Sequence, residues 1–120
     1  MAKVLLFNIP EQKRMKLGFL LMQFCIQSRD VAAEEQGKSL QALLGRGGDP
    51  AISLKTEPFL EEMLVMDGLD DRQFHGLLDG MKALDARVAL KAVTTQKNLS
   101  WSASRLYGEL CTERAAFAGR

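Results

Sequence analysis

Two runs of consecutive apolar residues, Val4-Leu5-Leu6-Phe7 and Met63-Leu64-Val65-Met66, limit what this chain can fold into. An amphipathic helix or a half-exposed strand would interrupt such a run with polar residues. A run that is apolar at every position suits a strand buried on both faces. Each run is followed by an Asn or Asp, a turn, and an acidic helix start, Pro10-Glu11 in the first case and Asp70-Asp71 in the second. Proline fits the first helical turn because its missing N–H has no helical partner there. Acidic residues favour the positive end of the helix dipole.

The first helix is expected to reach about Gln23 and to offer Met15, Phe19, Leu20 and Met22 to the core. In Cys25 to Val31, polar Gln27 and Arg29 alternate with Ile26, Ser28 and Asp30, as in an edge strand. In the second half, Asp70 and Gln73 have the spacing of a capping box. Phe74, Leu77, Leu78, Met81 and Leu84 repeat at helical spacing. Val88 to Val93 reads as a strand containing Lys91, and Thr94 to Ser100 as a polar loop. Trp101, Leu106, Tyr107, Leu110, Cys111 and Phe117 form the stripe of a last helix.

Residues 32–62 are the least regular part. Ser39 to Leu44 reads as a short helix capped by Ser39 and ended by Gly45. Gly45-Arg46-Gly47-Gly48 and Pro50 mark turns, and Ile52, Leu54, Phe59 and Leu60 are expected to pack on the body.

The pattern strand, turn, acidic helix start, helix, half-polar strand therefore occurs twice, over about 3–31 and 63–93. This defines an α/β protein with a small four-stranded sheet built from two βαβ units, expected as one domain over 1–120. If the connection brings the chain back for a second crossover of the same sense, the sheet is parallel, with order 2-1-3-4 and helices on both faces. If it does not, the two units interlock as a ferredoxin-like α+β sheet.

Composition narrows function mainly by exclusion. A net charge of +1 on 120 residues gives no general pull toward nucleic acid or membrane. The apolar stretch from Leu17 to Ile26 is too short to span a bilayer, and the first residues lack a signal-peptide pattern. A cytoplasmic location is expected. Cys25 and Cys111 sit among apolar neighbours and are expected buried and reduced. One histidine and two cysteines do not assemble a usual zinc site. The glycines at 45–48 lack the downstream Lys-Ser/Thr of a phosphate loop, so no metal and no cofactor is expected. Glu57, Glu61, Glu62, Asp67, Asp70 and Asp71 read as a solvated acidic surface, because a strand separates the first three from the last three.

In a parallel sheet, ligand sites form beyond the carboxyl ends of the strands. That rule brings together Asn8, Arg29/Asp30, Asp67/Gly68 and Thr94/Thr95. The candidate ligand-binding residues are Asn8, Asp67, Lys91, Thr94, Asn98 and Trp101. Thr94 and Asn98 would donate and accept hydrogen bonds, Trp101 would stack a ligand, and the start of the last helix would favour an anion. The plainer reading is that the polar residues end strands and cap helices. In it Lys91 guards an edge strand and Trp101 anchors a helix in the core.

The stretch Leu90-Lys91-Ala92-Val93, Thr94, Asn98, Trp101 and Leu106-Tyr107, together with Glu62-Met-Leu-Val-Met-Asp-Gly, resembles a family of short bacterial proteins known only as a domain of unknown function. The resemblance is densest over 62–110. It implies no activity or cofactor, and it directs attention to the 94–101 loop. Three functions remain open. The first is a non-catalytic module that binds a small anionic ligand or a protein partner. The second is an enzyme or enzyme subunit acting on a small anionic metabolite, with Lys91 and Asp67 as its titratable pair. The third is a structural homodimer joined through strand 88–93 or the last helix.

Overall fold

The computed structural model describes residues 2–47 and 58–118. In chain order it contains β1 (Lys3–Phe7), α1 (Glu11–Gln23), β2 (Gln27–Val31), a short 3-10 turn (Ala33–Glu35) and α2 (Leu40–Leu43). After these come β3 (Met63–Asp67), α3 (Asp71–Ala83), β4 (Leu90–Val93) and α4 (Ala103–Ala118). Gly48, Pro50, Ile52, Leu54 and Glu57 lie outside the described residues. The chain divides into two compact units, Met1–Val31 with Glu61–Thr94, and Ala32–Leu60 with Thr95–Arg120.

The first unit holds the whole sheet, in the order β2-β1-β3-β4. The pairs β1/β2 and β3/β4 are parallel, as βαβ units require, but the central pair β1/β3 is antiparallel. The sheet is therefore mixed, and the two βαβ units pair through β1 and β3. The wholly parallel arrangement fails because crossover rules act within each βαβ unit. They do not orient one unit against another across a long connection. A strand that is apolar at every position buries equally well in either direction.

The two halves repeat with a spacing of sixty residues. Lys3–Phe7 corresponds to Met63–Asp67, and Glu11–Gln23 to Asp71–Ala83. Asn8 and Gly68 both turn with positive φ after the strand, and Cys25 and Asp85 both do so after the helix. The closing hydrogen bonds also repeat: Ile26 N–H donates to Leu21 O and Ala86 N–H to Met81 O, each at 2.8 Å. Leu5, whose equivalent is Val65, pairs with Val65 itself. A pseudo-twofold axis thus passes through the middle of the sheet.

Val4, Leu6, Leu64 and Met66 face α1 and α3, and with Leu17, Leu20, Leu21, Leu77 and Met81 they form the core of this unit. The helices cross where α3 has no side chain. A Cβ on Gly80 would come within 2.4 Å of Leu20 Cδ2, and one on Gly76 within 2.3 Å of Phe24 Cζ. The capping box forms as expected: Gln73 N–H donates to Asp70 Oδ1 at 2.8 Å, and Asp70 N–H to Gln73 Oε1 at 3.1 Å. Leu5, Phe7, Met63 and Val65 are buried on the opposite face of the sheet.

Three expectations about side chains are corrected. Met15, Phe19 and Met22 are exposed, whereas Leu17, Leu20 and Leu21 are buried. Helix α1 carries two apolar stripes roughly 180° apart, and spacing alone does not choose between them. Cys25 is exposed, because it occupies a left-handed turn between α1 and β2, and Cys111 is half-buried. Leu84 and Leu60 are exposed as well, Leu84 at the α3 C-cap.

In the second unit, Ser39 Oγ accepts from Ala42 N–H and starts α2, and Gly45 ends it with positive φ. Gln36 is buried and acts as a surrogate strand. Its Oε1 accepts from Phe59 N–H at 2.9 Å, and its Nε2 donates to Phe59 O at 3.3 Å. Its backbone carbonyl accepts from both the N–H and the hydroxyl of Ser104. Phe59 lies flat on Tyr107, with ring centroids 4.3 Å apart. Leu40, Leu43, Ala103 and Leu106 are buried, while Phe117, expected on the apolar stripe of α4, is exposed.

Candidate functional site

A groove of about 440 Å³ runs along α3 and the first residues of β4 in the sheet-bearing unit. It is lined by His75, Leu78, Asp79, Met81 and Lys82 from α3, and by Arg87 and Lys91. Lys91 pairs with Leu64, whose side chain faces the helices, so Lys91 points to the same side. The residue before it, Leu90, pairs with Met63 and is buried on the other side. Lys91 Nζ donates to Val88 O at 2.9 Å, which holds the ammonium beside the groove. Arg87 is tied down through its backbone, since its carbonyl accepts from Lys13 Nζ at 2.8 Å. The same ammonium forms an ion pair with Glu62.

The lining is a floor of Leu78 and Met81 with three cations and one carboxylate around it. Three positive charges against one give the groove a local excess that the chain's overall +1 does not reveal. The lining contains no Ser, Thr, Cys or Tyr that could attack a substrate. The arrangement can attract and hold an anion whose remainder is apolar.

Of the six residues singled out in the sequence, Asn8, Asp67, Lys91 and Thr94 lie in the sheet-bearing unit. Asp67 and Thr94 come together: Thr94 Oγ1 donates to Asp67 Oδ1 at 2.6 Å, and Thr94 N–H to Met66 O at 3.0 Å. Asp67 is only 3% exposed, so this contact closes the end of the β3/β4 ladder. Asn8 lies at the other end of the sheet, where its Nδ2 donates to Glu61 O at 3.0 Å. The register Lys3 to Asp67 and Phe7 to Met63 separates Asn8 from Asp67 by roughly 15 Å of strand. The convergence of four strand ends is thus corrected. The antiparallel centre sends the carboxyl ends of β1 and β2 one way and those of β3 and β4 the other.

Lys91 lies on an exposed edge strand and borders the groove, but Asp67 faces the opposite side of the sheet. The two are not placed as an acid–base pair. Asn98 and Trp101 belong to the second unit. Asn98 closes a local turn there, accepting from Thr95 N–H through Oδ1 at 2.7 Å and donating its own N–H to Thr95 Oγ1 at 3.1 Å. Trp101 is half-buried, with the Arg105 guanidinium 4.4 Å from its ring centroid, and its carbonyl accepts from Leu40 N–H. It precedes α4 and is held by these contacts at the surface of its unit, not buried in the core.

His75, Asp79, Lys82 and Arg87 were not singled out in the sequence. Their signal is an i, i+4, i+7 polar stripe on α3, with Arg87 just before Val88 and Lys91 three residues after it. It reads as an ordinary solvated helix face until the strand is placed beside it. Among the described residues, no group of three His, Cys, Asp or Glu side chains could hold a metal ion. No described helix is long and apolar enough to cross a membrane.

The fold and groove define a small α/β protein made of two βαβ halves. Residues 62–117, which span β3, α3, β4 and most of α4, match the family described as Domain of unknown function (DUF3783). The match is to this segment, and it bears out the resemblance read from the same residues. No curated protein and no solved structure matches the chain.

Proposed function

We propose that the protein is a non-catalytic binding module that takes a small organic anion in the groove along α3 and β4. The observation that carries this reading is the set of cations Lys82, Arg87 and Lys91 gathered over an apolar floor of Leu78 and Met81. Metabolite sites have this make-up, mostly apolar with a few placed polar groups, and volumes of roughly 300–1,000 Å³. Arg87 offers a planar fork to a carboxylate or phosphate, and Lys91 a point charge steadied by Val88 O. The separation of Lys91 from Asp67, the titratable pair on which an enzymatic reading rests, favours binding over turnover. The anion would be a free metabolite of the cytoplasm.

Calorimetry tests this with pyrophosphate, which presents charge alone, and hexanoate, which adds an apolar tail. Both are expected to bind, and more weakly as salt is raised. Arg87→Ala and Lys91→Ala should each reduce affinity at least fivefold with unchanged thermal stability. Equal binding by the wild type and both variants would remove the groove from consideration.

A further inference from the structure

The sixty-residue repeat exposes a difference between its two halves that points to a second surface. The α3 residues on the groove side, His75, Asp79 and Lys82, have Met15, Phe19 and Met22 as their equivalents on α1. Water therefore meets polar side chains on one sister helix and large apolar ones on the other. Met15, Phe19 and Met22 are 73%, 63% and 75% exposed. They stand at i, i+4 and i+7, one unbroken stripe on the face of α1 turned away from the core. With the short residue Gly18 between them, the spacing is that of a helix seam that packs against another helix.

We infer that this face of α1 binds the same face of a second copy of the chain, forming an isologous dimer. Three observations select that occupant. Met15, Phe19 and Met22 carry no charge, and the exposed Glu11 and Lys16 stand at the end and the flank of the stripe, so its centre offers no counter-charge to an acidic or basic partner. Of the cations on α1, Lys13 and Arg14 are already engaged with Glu62 and Asp30, while Lys16 is exposed at the flank of the stripe. Finally, the three side chains present roughly 400 Å² of apolar surface, close to the apolar share of a standard interface that buries about 800 Å² per partner. Twofold pairing lets one short stripe cover its own copy, with each methionine free to adapt to the facing phenylalanine.

Sedimentation velocity from 1 to 200 µM tests the inference on the full chain. The wild type is expected to be dimeric at the upper end. Phe19→Asp installs the residue that the sister helix carries at the equivalent place, so the helix should still form, and the variant should be monomeric throughout. A circular dichroism melt confirms that it folds, and Met22→Lys, chosen by the same logic, gives a second reading. Phe117→Asp on α4 and Lys91→Ala on β4 should leave the dimer intact. A wild type that stays monomeric at 200 µM overturns the inference. A dimer that survives both Phe19→Asp and Met22→Lys, or dissolves with Phe117→Asp, also does so.

Discussion

Replacing Thr94 by valine removes one hydroxyl and little else. Both residues are β-branched, have nearly the same shape and suit an extended backbone. The Thr94 N–H keeps its bond to Met66 O, so the ladder is not disturbed. What disappears is the 2.6 Å bond to Asp67 Oδ1. The aspartate is 3% exposed, so water cannot fully replace the lost donor. Hydrogen bonds to charged groups contribute roughly 1.5–3 kcal/mol. Thr94 itself is half-buried, which lets some solvent in and favours the lower part of that range. We expect Thr94→Val to destabilise the protein by about 2 kcal/mol. For a chain of this size, that lowers the melting temperature by roughly 6–10 °C. Urea unfolding at 25 °C followed by circular dichroism reads the change as a shift in midpoint at constant slope. In a cycle with Asp67→Leu, the two losses should fall short of additive by at least about 1 kcal/mol. A shift below about 0.5 kcal/mol, or additive losses, would refute the view that this pair locks the end of the ladder.

Three further outcomes follow from the geometry. Gly80→Ala should destabilise by about 1–2 kcal/mol in a urea melt, since crowding against Leu20 outweighs the better helix propensity. Combined with Leu20→Ala it should cost less than the sum of the two alone. Asp70→Ala should remove about 1 kcal/mol by opening the capping box, while Asp70→Ser restores most of it. Gly68, at φ 70°, should lose about 1–2 kcal/mol on change to valine, and alanine should lie between.

The fold was readable because its strongest constraint was local. Two uninterrupted apolar runs can be satisfied only as buried strands, and the residues after each run announce a turn and a helix. Strand order followed, because the half-polar strands Gln27–Val31 and Leu90–Val93 belong at the edges. Strand direction did not follow, since Met63 to Met66 reads alike from either end. The inner face of α1 was hidden for a similar reason. Leu17-Leu20-Leu21 and Met15-Phe19-Met22 both satisfy helical spacing, and only the placement of α3 decides which one is buried.

The candidate site was legible only in pieces. Lys91 stood out as a charge inside a strand, and Asp67 and Thr94 as polar residues at neighbouring strand ends. The groove around Lys91 needed His75, Lys82 and Arg87, which become partners only when the parallel β3/β4 pair folds back under α3. Asn8 left the set because one antiparallel pairing reverses the end at which β1 stops.

The central claim is that the α3/β4 groove holds a small anion, and amide chemical shifts test it most directly. Titrating the isotope-labelled protein with pyrophosphate should move the amides of His75, Asp79, Lys82, Arg87 and Lys91 in a saturable way. Those of Asn8, Cys25 and the outer face of α1 should stay in place, and Lys91→Glu should abolish the response. No saturable shift up to roughly 10 mM, a binding free energy of only about 2.7 kcal/mol, or shifts centred elsewhere, would contradict the account.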